Sequence, residues 1–170
     1  MHLSERFSNH LKNVLVKAIQ LATELKQKEV SLLHLLFALL KEKGSLANEI
    51  LTRVKLDESF LENKILNLIS DNKKIIDQIP LNTSAQASLT PLSPIAKTVL
   101  EKAFLIAAEN NHNFLGTEHL LLAILHQKDP GILEVFNQNK ISLDDVENQL
   151  KNICTRHGAT HRRYYVSRRI

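Results

Sequence analysis

Few residues of this 170-residue chain have the type and spacing for chemistry, and each also has an unreactive reading. Cys154 is the lone cysteine, and a nucleophilic thiolate needs a base that nothing nearby in sequence supplies. It reads as a packing or incidentally exposed residue. His157 and His161 stand four apart and could share a helical face as metal ligands, but Gly158 intervenes and no further ligand accompanies them. His34 and His119 occupy equivalent places in strongly apolar stretches, which is how satisfied core histidines behave, rather than metal ligands or bases. Glu118 follows Thr117 at an expected helix start, where the helix dipole favours an acid by about 0.3–1 kcal/mol. The four glycines, Gly44, Gly116, Gly131 and Gly158, build no G-x-x-x-x-G-K-[ST] phosphate loop. No paired carboxylates, metal cluster or nucleophile with its base emerges, so we expect no catalytic residue, no metal, no cofactor and no enzyme activity.

The elements that carry these residues occur twice. Sliding the chain by 85 positions lays residues 7–51 over 92–136 without a gap, with 15 of 45 positions identical. Ser8, Lys12, Val14, Leu15, Lys17 and Ala18 recur as Ser93, Lys97, Val99, Leu100, Lys102 and Ala103, and His34-Leu35-Leu36 recurs as His119-Leu120-Leu121. An ungapped duplication implies two copies of one unit in a pseudo-twofold scaffold. With few Gly and Pro and abundant Leu, Ala, Lys and Glu, the unit is expected to be helical.

The first copy opens with Ser8 as a cap. Leu11, Val14, Leu15, Ala18, Ile19, Ala22 and Leu25 then follow helical spacing over about 8–27. Ser31 caps a second helix reaching about Lys43, apolar on nearly every side and therefore central, and Gly44 stops it. Ala47, Ile50, Leu51 and Val54 suggest a third helix, and Asp57 caps a fourth carrying Leu61, Ile65, Leu66 and Ile69. In the second copy Ser93-Pro94 starts a helix over 93–110, Gly116-Thr117 the next, Asp129-Pro130 the seventh and Ser142 the eighth. The expected fold is all-α: eight helices as two tandem four-helix repeats in one pseudo-twofold domain over 1–155. Repeat one spans 5–70, a polar linker 71–91, and repeat two 92–155.

Net charge is +4, but residues 156–170 hold five arginines and no acid, which leaves the body near neutral and argues against a nucleic-acid-binding face on it. The basic tail, with Tyr164 and Tyr165, could bind nucleic acid or an acidic protein, or have no specific role. The most apolar run, Ser31–Leu40, is about half a bilayer span, so no membrane contact is expected. The amino terminus has no signal-like apolar stretch, which suggests a cytoplasmic protein.

At Gly116-Thr117-Glu118-His119-Leu120-Leu121-Leu122-Ala123, with a Ser-Pro-x-Ala-Lys start 23 residues earlier, the chain resembles the double Clp N-terminal repeat over about residues 5–153. That module fronts the Clp family of AAA+ unfoldases, here closest in style to the ClpC and ClpA type. The resemblance implies a compact all-helical pseudo-dimer that binds adaptor proteins and substrates for a Clp ATPase ring, in protein quality control and proteolysis. Without a phosphate loop the chain is not itself the motor; it is either a front domain or a free-standing protein acting in trans. Some family members use the glutamate of each GTEH segment to hold the guanidinium of phosphoarginine on marked substrates, beside unfolded proteins as a second class. On this likeness Thr117 and Glu118 are the substrate-binding or adaptor-binding candidates. The first copy carries Leu33 where the second has Glu118, so one such site is expected rather than two. The alternative is a nucleic-acid-associated helical protein acting through its tail.

Overall fold

The computed structural model describes residues 3–57, 59–60, 62–63, 65–67 and 90–156. The linker up to residue 89, the arginine tail beyond Arg156, and with it His157, His161, Tyr164 and Tyr165, lie outside the described residues. So does the side chain of Cys154, whose backbone belongs to the last helix.

A short 3-10 turn, Leu3–Arg6, leads into α1, Asn9–Glu24. Three further helices complete the first repeat: α2, Leu32–Lys41, α3, Leu46–Arg53, and α4, helical at each described residue of 59–67. The second repeat is α5, Pro94–Glu109, α6, Thr117–His126, α7, Pro130–Gln138, and α8, Leu143–Arg156. The fold is thus all-helical, in the order the sequence predicts.

The starts follow the expected chemistry. Backbone N–H groups of Leu11 and Ala96 donate to the hydroxyls of Ser8 and Ser93, each at 3.1 Å. Asp129 accepts from the Gly131 and Ile132 amides at 3.0 and 3.2 Å, and Asp57 from that of Phe60 at 3.1 Å. The ends differ. α1 stops at Glu24, short of the expected 27, because Lys26 turns left-handed at φ 53° and the Gln27 N–H returns to the Ala22 carbonyl at 2.8 Å. α2 stops at Lys41, ahead of Gly44, which itself is left-handed at φ 80°. There Glu42 is 5% exposed and accepts from Asn13 Nδ2 at 3.1 Å and Lys17 Nζ at 2.5 Å, with His10 Nδ1 at 2.7 Å, tying the end of α2 to α1. Burial pushes this carboxyl up, and the bonds from Lys17, His10 and Asn13 outweigh it and hold it below its ordinary range. In the second copy Lys102 Nζ makes the same tie to the neutral Gln127 at 2.8 Å.

Two reciprocal backbone bridges join the copies. The Ser8 N–H donates to the Leu115 carbonyl at 2.9 Å and the Leu115 N–H to that of Arg6 at 2.7 Å. Eighty-five residues on, the Ser93 N–H donates to Val30 at 3.0 Å, and the Val30 N–H to Pro91 at 2.8 Å. Each copy thus pairs the segment before its first helix with the segment before the other copy's second helix. Between the bridges α2 packs on α6, α3 on α6 and α7 on α2. Thr117 through Leu125 of α6 are all buried, as are eight residues of α2, so both helices lie inside one shared core.

Candidate functional site

The start of α6 is the place where the chemistry-bearing residues meet. Gly116 is its N-cap, and with no side chain to offer it is capped from within: the Gly116 N–H donates to His119 Nδ1 at 2.9 Å. His34 does the same for Ser31 at 2.9 Å at the start of α2. A ring nitrogen that accepts a backbone N–H carries a lone pair, so both histidines hold their proton on Nε2. They act as internal caps, which explains why both copies have histidine there. Burial lowers the His34 pKa from 6.5 to about 4, so it is neutral at physiological pH.

In the second copy the Nε2 proton of His119 points at His112 Nδ1, 2.7 Å away, with the rings edge to face at 4.9 Å. Glu118 lies against this pair, its Oε1 3.4 Å from His119 Nδ1, and is 1% exposed. With His119 neutral, that approach is a contact and not an ion pair. His112, Glu118 and His119 have donor atoms of metal-binding type within 4.8 Å of one another. The tautomer argues against a cation here: with Nδ1 engaged by Gly116, the Nε2 facing His112 bears a proton and has no lone pair to give. Sequence reasoning missed His112, since its partner lies seven residues away across a loop; the one available signal was that its counterpart in the first copy is Gln27.

Thr117 is 2% exposed, and its hydroxyl accepts from the Ala47 N–H at 3.3 Å. The start of α3 in the first copy therefore sits on the start of α6 in the second. The pseudo-equivalent seam is apolar: a Cβ placed on Gly131 of α7 would meet Leu33 at 3.6 Å. Both sequence candidates are buried, Thr117 at the seam between the repeats and Glu118 against Gly116 and His119 of its own repeat. Open surface lies elsewhere. Lys55 and Lys140, equivalent left-handed residues at φ 56°, line a surface cleft of about 570 Å³ with Arg53, Asp145 and Asn148.

Residues 6–139 match the sequence profile of the Clp repeat (R) N-terminal domain, and residues 91–167 match it again. The chain belongs to this Clp repeat family. Among relatives of this Clp repeat chain, the ATP-dependent Clp protease ATP-binding subunit ClpC of Staphylococcus saprophyticus is 27% identical over 131 residues, covering 77% of this chain and 15% of that protein. The Hsp104 N-terminal domain of Candida albicans has the same fold, with a TM-score of 0.68 at 20% identity over 86% of this chain and 90% of that one. A ClpV N-domain solved in complex with a VipB peptide gives a TM-score of 0.63 at 19% identity, covering 91% and 92%. The Clp repeat chain spans less than half the length of the curated relatives it matches. No described helix is long and apolar enough to cross a membrane.

Proposed function

We propose that this Clp repeat domain recruits adaptor proteins or substrates to a Clp-type ATP-dependent unfoldase or protease in the cytoplasm, and reads phosphoarginine at one site. The observation that carries the reading is family membership, together with the likeness of its fold to a ClpV N-domain held with a peptide. The cleft between Lys55 and Lys140 supports docking of an extended partner, because it sets polar side chains beside the apolar Val54 and Ile141 and draws them from both copies. The start of α6 at Thr117 and Glu118 supports the narrower part. A carboxylate pairs with a guanidinium through two parallel hydrogen bonds, and the amides of a helix start suit a phosphate. Leu33 offers neither charge nor hydrogen bond in the other copy.

The test is direct binding. The 1–155 fragment should bind a Clp adaptor, an unfolded protein or a phosphoarginine-bearing protein at roughly micromolar strength, about 8 kcal/mol. No association across that panel removes the recruitment reading. For the narrower claim, Glu118→Ala should weaken phosphoarginine binding while Leu33→Ala leaves it nearly unchanged, measured by calorimetry. Equal binding by the wild type and Glu118→Ala takes Glu118 out of the site.

A further inference from the structure

We propose that Glu118 closes the candidate site on itself, and that the bare Cα of Gly116 is what permits this. The inference rests on the phosphoarginine reading, since it concerns the resting position of the same carboxylate. Gly116 has φ −104° and ψ 175°, an extended conformation open to any residue, so the backbone does not demand glycine. Its counterpart Ser31 holds nearly the same angles, −89° and 174°, and the histidine cap is 2.9 Å long in both copies. What differs is the space beside the Cα. A Cβ on Gly116 would stand 2.6 Å from Glu118 Cδ and closer still to both carboxylate oxygens, the three nearest atoms all being of that side chain.

Glycine and glutamate occur together in one copy, serine and leucine in the other. That pairing is what the geometry requires: the carboxylate can fold back over position 116 only if no Cβ is there. Folded back, Glu118 is 1% exposed, and a guanidinium cannot reach both oxygens at once. Binding therefore needs the side chain to swing out, and the closed position lowers apparent affinity by the fraction of molecules that are open.

Substitution at 116 tests this on the full chain. The three atoms nearest a Cβ there belong to the far end of a flexible side chain, so Gly116→Ala should displace the carboxylate without unfolding the protein. Gly116→Ser, which copies the cap at Ser31, provides a second variant whose cap is already seen in this fold. Carbodiimide-driven amine labelling followed by peptide mass spectrometry should leave Glu118 unmodified in the native wild type and modify it in both variants. Calorimetry with free phosphoarginine should show binding tightened roughly tenfold in both, the gain when a state populated about one part in ten becomes dominant. Glu118→Gln combined with Gly116→Ala should lose that gain. Equal labelling of wild type and variants overturns the closed state. Labelling that rises while phosphoarginine binds to no variant leaves the closure standing and removes the phosphoarginine reading instead. Binding that rises equally in the double variant overturns the role of the carboxylate.

Discussion

At the scale of single residues, two buried polar side chains set how stability responds to acid. His34 is 2% exposed and its folded pKa lies near 4, below the ordinary 6.5. The unfolded chain therefore takes up a proton that the folded chain refuses. Its contribution to stability is complete above pH 6.5, falls as the pH drops below that value, and is exhausted near pH 4, a loss of roughly 3 kcal/mol. Glu42 acts lower down: its depressed pKa adds stability above the ordinary carboxyl value of 4.5 that is lost as the pH falls through the folded value. Melting temperatures measured from pH 7 to 4 should fall for the wild type, and His34→Asn should flatten the upper part of that decline. A slope unchanged in His34→Asn removes His34 as its source. Neither role was legible in the sequence beyond the expectation of a core histidine, because a tautomer is decided by which backbone N–H the ring meets.

At the scale of elements, caps were the most legible feature. Ser8, Ser93, Asp57 and Asp129 each stand where the pattern put them, because a helix start satisfies its free N–H groups from the nearest side chain in sequence. Ser93→Ala should therefore cost about 1 kcal/mol in chemical unfolding. Helix ends were less legible. Lys26, Lys55, Asn111, Lys128 and Lys140 all terminate helices in left-handed turns without the glycine that announces such a turn. Each residue there bears a Cβ penalty that glycine lacks. Lys55→Gly and Lys140→Gly should each raise stability by up to about 1 kcal/mol, read as a higher denaturation midpoint. A lower midpoint in both would mean that the lysine side chains contribute more to the turns than the backbone strain takes away.

For the whole molecule, the two repeats share one interior and exchange their leading segments. The α2 helix is buried on several faces and needs α6, while Val30 and Leu115 take their backbone partners from the opposite copy. Residues 1–70 alone should thus lack a cooperative melt by circular dichroism, although they contain every helix of one repeat. A sharp transition in that fragment would show that the copies fold independently. The sequence by itself determined the number and order of the helices, most of their starts, the duplication and the family, because helical spacing, capping and a fixed offset of 85 are local or periodic properties. Only the tertiary structure decided that the Thr117 hydroxyl accepts from the Ala47 N–H, that His112 faces His119, and that Glu118 is folded over Gly116. Those facts depend on where side chains distant along the chain, or curled back on their own helix, come to rest in a shared core, and no spacing rule encodes that position.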